Sequence, residues 1–182
     1  MKNTLLLSFI LMAFSSIAFS HSYHYEVQVT NKLISKDEKL AALKMTWLYD
    51  HDVSKAMLDD QKDLKKLENK LISDLDLLGY FTQVKLNGKA LPFDRAKNVR
   101  LIKSKDLLEL SFLLPLSIPI QIDAKNVLSL DHEDPSSIAI LFYENASHIQ
   151  LNGMLKKRCR IVIKEKDDFA EGEFPQVVKI GC

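Results

Sequence analysis

Residues 54–78 read SKAMLDDQKDLKKLENKLISDLDLL, and the spacing of their apolar side chains decides the fold class. Met57, Leu64, Leu67, Leu71, Leu75 and Leu78 recur at three-, four- and seven-residue steps, which sets them on one face of a helix. The opposite face carries Lys, Asp and Glu. Asp52 or Ser54 is the expected N-cap, and Gly79 is the expected residue just past the end. The pattern predicts one long amphipathic helix with a candidate break near Asp60. Its stripe needs a sheet to cover, since a lone helix cannot bury it.

On either side the chain reads as strand. Tyr25 to Val29 alternates apolar and polar residues, and Leu40 to Leu48 is a second run, placed just before the helix. Within Thr82 to Phe93, Asn87-Gly88 separates apolar residues, and both turn residues tolerate positive φ, so a hairpin is expected. Val99 to Ile102 and Leu107 to Leu114 flank a polar K-S-K-D turn and predict another. Val127 to Leu130, Ile138 to Tyr143, His148 to Leu151, Arg160 to Lys164 and Val177 to Ile180 complete the set. Pro115 and Pro119 bracket a segment expected at an edge or a crossing, because proline cannot donate to a ladder. The fold class that follows is α+β: a predominantly antiparallel sheet or sandwich with the long helix after the second strand.

Residues 1–20 have the layout of a secretory signal, with Lys2 followed by the apolar run Leu5 to Phe14 and then small residues. About ten apolar residues are too few to span a bilayer. We therefore expect an exported, periplasmic protein that is not membrane-embedded after cleavage, with residues 21–182 as a single globular domain. Removing Lys2 leaves 24 of the 25 Lys and Arg against 24 Asp and Glu. A balanced chain lacks the excess of cations that nucleic-acid binders concentrate.

The chain has two cysteines, Cys159 and Cys182. In an exported protein they predict a disulfide, whose loop of about 24 residues would contribute roughly 3 kcal/mol. The chain has no nucleophile elbow, no H-E-x-x-H, no phosphate-cradling glycine loop and no dinucleotide fingerprint. We expect no enzyme.

Three clusters carry metal-ligating side chains: His21 with His24, Asp50-His51-Asp52, and Asp131-His132-Glu133-Asp134. Imidazole and carboxylate suit zinc, nickel or copper. For the second and third clusters the structural reading is favoured. Acids before a helix stabilise its positive end, and Asp beside Pro is ordinary turn chemistry. The first depends on the cleavage site. A cut after Ser20 makes His21 the first residue, with His24 as a further ligand. A cut after Ala18 starts the chain Phe19-Ser20-His21. An amine, two ionisable amides and an imidazole can then wrap copper(II) or nickel(II) in a square plane.

The stretches LKMTWLYD, GYFTQV, NGKALPF and LSFLLPL, the Asp134-Pro135 turn and the cysteines near and at the C-terminus share an order and spacing. In these the chain resembles a bacterial exported family known as domain of unknown function 1007. Its members are often described as periplasmic components of an uncharacterised ABC-type transport system. Their genes commonly lie near nickel, cobalt or zinc transport genes. The resemblance implies a protein accessory to divalent transition-metal (Zn, Ni, Co or Cu) transport or homeostasis, binding metal or an inner-membrane cation transporter. It also implies a role for Asp50, which matches a family position beside Trp47. Family members usually begin His-Pro-His after cleavage. Here Phe19 and Ser20 stand where the first histidine and the proline would be, which favours cleavage after Ala18. An alignment with a one-residue insertion keeps both histidines, as His21 and His24. The competing reading is an envelope protein-binding module with no metal.

Overall fold

The computed structural model describes residues 25–136, 138–165 and 176–182. The elements run β1 (Tyr25–Lys36), β2 (Lys39–Tyr49), α1 (His51–Asp60), α2 (Leu64–Leu77), β3 (Thr82–Leu86), β4 (Lys89–Ala90), β5 (Lys97–Ser104), β6 (Leu107–Gln121), β7 (Val127–His132), β8 (Ala139–Phe142), β9 (Ile149–Leu151), α3 (Gly153–Arg158), β10 (Arg160–Glu165) and β11 (Gln176–Gly181). A six-stranded sheet has the order β5-β6-β2-β1-β8, with β9 also on β1, and a five-stranded sheet has the order β10-β11-β7-β3-β4. All neighbours are antiparallel except that β8 and β9 join β1 in parallel. The α+β class with mainly antiparallel sheets therefore holds.

Alternation decides which face is covered. Val27, Val29, Asn31 and Leu33 on β1 pair with Tyr49, Trp47, Met45 and Leu43 on β2, and every one of them is buried. Leu110, Phe112 and Leu114 continue the same layer on β6. Leu128, Leu130, Val178 and Ile180 supply it from the second sheet. Trp47 sits at the centre, stacked on Phe81 at 6.2 Å and edge-on to Phe112 at 5.7 Å.

The single long helix is in fact two. Gln61 N–H bonds back to Met57 O and closes α1. Asp63 then accepts from Lys65 N and Lys66 N at 2.9 and 3.2 Å and opens α2. Asp59 and Asp60 lie at the negative end of α1, where acids are unfavourable, and Asp63 competes for backbone amides as a cap. The stripe survives in α2, where Leu67 and Leu75 are buried, but Leu78 is 50% exposed. The N-cap is Asp50, not Asp52 or Ser54. Buried Ser54 instead accepts from Leu108 N at 2.9 Å and fixes α1 to β6.

Gly79 has φ of 61°, as a helix-closing glycine should. Asn87 and Gly88 make the expected turn with φ of 51° and 81°. Pro115 and Pro119 frame a register shift in β6: Pro115 faces Ala42 and Ile120 faces Leu40, while Leu116 between them is buried and bridges to Phe93. Cys159 and Cys182 form a disulfide, one residue outside the Arg160–Gly181 pair that begins the β10–β11 ladder. Among the described residues no helix is long and apolar enough to cross a membrane.

Candidate functional site

The candidate site lies where β1 begins. His21 and His24 fall outside the described residues; the chain they belong to enters the described fold at Tyr25. Tyr25 N donates to Ile138 O at 3.0 Å, and the next amide, Glu26 N, donates to Asp50 Oδ2 at 3.1 Å. Asp50 Oδ1 accepts from Val53 N at 2.8 Å. One carboxylate thus caps α1 and ties down the start of β1, a double use that follows from its extended backbone at φ −61° and ψ 172°. Neither bond exhausts its oxygens, which keep lone pairs for a further partner. His51 and Asp52 are exposed, with Nδ1 3.3 Å from Oδ1.

Asp134 stands at the same end of the sheet. Its carboxylate takes the Ser136 hydroxyl and the amides of Ser136, Ile138 and Ala139, at 2.7 to 3.2 Å. Burial works to raise its pKa, but these donors outweigh it and hold the carboxyl below its ordinary range. The Tyr25 hydroxyl is pushed up by burial and then by the charges of Asp134 and Asp50. Across β1, Glu26, Glu144 and Glu165 line a cleft of about 440 Å³. Gln28 donates to Glu144 at 2.8 Å, and His148 Nε2 lies 3.5 Å from it. Among the described residues no three His, Cys, Asp or Glu side chains are grouped to hold a metal ion.

His132 is not in a turn. It ends β7 facing the interior, 3% exposed, in a polar contact between the two sheets. The Thr82 hydroxyl gives its proton to Tyr80 O at 2.7 Å. The ring therefore donates from Nδ1 to Thr82 Oγ1 at 3.0 Å. Nε2 is left as the acceptor for Asn31 Nδ2 at 2.7 Å, and Asn31 also donates to Tyr143 Oη. This tautomer assignment follows from the network. Burial pushes the imidazole pKa down from 6.5 to about 3, against a smaller upward pull from a bond to the Phe81 backbone. Neutral and with both nitrogens committed, His132 has no lone pair for a metal. No sequence signal exposes this cluster beyond the alternation that turns Asn31 inward, because its members come from four distant segments.

The sequence can be placed among known proteins on this basis. The family described as "Protein of unknown function (DUF1007)" matches residues 5–173. The chain belongs to this family. The DUF1007 match takes in β1, the helices α1, α2 and α3, and Asp50, and it ends before β11 and Cys182. No curated protein matches the sequence.

Proposed function

We propose that this DUF1007 protein is an exported, periplasmic accessory of divalent transition-metal transport or homeostasis. Zinc, nickel or copper is held by His21 and His24, with Asp50 beside them, and the loaded protein serves an inner-membrane cation transporter. One observation supports the reading above the others. The histidine-bearing segment joins the fold amid carboxylates: Asp50 holds the Glu26 amide, and Asp134 and Asp50 both act on the Tyr25 hydroxyl. Fixed negative charge at the base of an imidazole-bearing segment favours a divalent cation there.

Mass spectrometry of the exported protein under native conditions tests this. It reads the first residue and the retained metal together. The proposal expects stoichiometric copper, nickel or zinc, lost in a His21→Ala variant. A metal-free protein whose affinity is unchanged by His21→Ala contradicts it.

The second reading, an envelope-binding module without metal, draws on the end of α2, where Leu77 is 83% and Leu78 50% exposed. Recovery of a partner from envelope extract regardless of chelator, and its loss in Leu77→Glu, would favour that reading.

A further inference from the structure

A second cleft opens further along β1, between β9 and β10. Its volume is about 590 Å³, within the range of small-molecule sites. Among the described residues Lys32 and Lys156 are its charged lining residues, and no carboxylate lines it. Among the described residues neither lysine belongs to an ion pair. Composition does not explain this, since 25 Lys and Arg face 24 Asp and Glu over the chain.

The register makes the excess sharper. Lys32 stands directly opposite Lys44 on β2 and level with Gln150 on β9. Like charges directly opposite in a ladder destabilise it. An anion at this position relieves that repulsion. Asn152 adds neutral donors. Its Oδ1 accepts from Ser35 N at 2.8 Å and Ser35 Oγ at 2.9 Å, so the carboxamide, which lines the cleft, has its Nδ2 hydrogens left to donate. Ile149 and Ile161 supply an apolar part of the same lining.

We propose that the cleft binds a small amphipathic organic anion. Its carboxylate or phosphate head lies between Lys32 and Lys156, and its apolar part lies on Ile149 and Ile161. The site is independent of the metal reading, since neither Asp50 nor any histidine is among the described residues that line it.

Titration of the disulfide-bonded chain with octanoate, octyl phosphate and octanamide, followed by amide NMR and calorimetry, tests it. Octanoate or octyl phosphate should shift β9, α3 and the start of β10 saturably, and the tighter of the two identifies the head. Octanamide should bind at least about fivefold more weakly, the scale of one lost charge contact. Lys32→Gln and Lys156→Gln should each weaken the anion by roughly the same factor. Both replace exposed side chains and leave the dispersed spectrum of a folded protein. Lys89→Gln, at the exposed tip of β4, should change nothing. Equal binding of octanamide, shifts confined to other elements, or no saturable binding at millimolar concentration would overturn the proposal.

Discussion

His132 is the residue whose chemistry differs most from its sequence context. D-H-E-D-P looks like a solvated turn, yet alternation along β7 sends the imidazole inward to Thr82 and Asn31. With its pKa lowered from 6.5 to about 3, the imidazole stays neutral in the folded protein where in the unfolded chain it takes up a proton. The contribution of His132 is thus complete above pH 6.5 and is lost as pH falls from 6.5 toward about 3. Urea unfolding at pH 7.5, 5.5 and 4.5 should show this loss. A His132→Gln variant should be less stable at pH 7.5 by roughly 1–3 kcal/mol, because Thr82 or Asn31 loses a partner. Its stability should change little from pH 6.5 to 4.5, because the lowered carboxyls of Asp134 and Glu68 lose their contributions mainly as pH falls through and below the ordinary carboxylate range. Asp50 was legible only as one of the acids before the helix; the cap itself was expected at Asp52 or Ser54 and falls on Asp50. Its hold on Glu26 N was not legible, since nothing local links residues 24 positions apart. Asp50→Ala should cost about 1–2 kcal/mol in the same assay.

Among the elements, those with a strong local signal were readable. The Asn87-Gly88 turn, the K-S-K-D hairpin and the amphipathic stripe of α2 each carry their own pattern. The turn at Asp37 and Glu38 was missed: both take positive φ, 50° and 62°, without a glycine to announce it. For that reason β1 runs much further than its first alternating residues suggest. The break between α1 and α2 was marked by D-D-Q-K-D, but the stripe spans it by a seven-residue step and so reads as continuous. The disulfide belongs to this scale because it holds β11, the last strand, to β10. Replacing Cys159 and Cys182 with serine should lower stability by roughly 3 kcal/mol. Wild-type protein in reductant should then unfold at the same denaturant concentration as the variant.

At the scale of the molecule, β1 is the common wall of both proposed sites. Its first residues meet Asp50, Asp134 and the glutamate cleft, while Lys32, further along, faces the basic one. A chain with balanced charge can therefore present an acidic end and a basic end along one strand. Composition alone cannot reveal this, because it averages over both. Strand order was equally hidden, since β8 and β9 reach β1 only after a long excursion of the chain. The metal reading makes the acidic end the functional one, and one measurement bears on it directly. The mature protein, with its first residue fixed by mass spectrometry, is titrated with copper(II), nickel(II) and zinc(II) by calorimetry beside a His21→Ala/His24→Ala variant. The account predicts one metal per chain in the wild type and loss of that site in the variant, with urea stability unchanged. Equal binding by both proteins, or no stoichiometric binding by either, would contradict it.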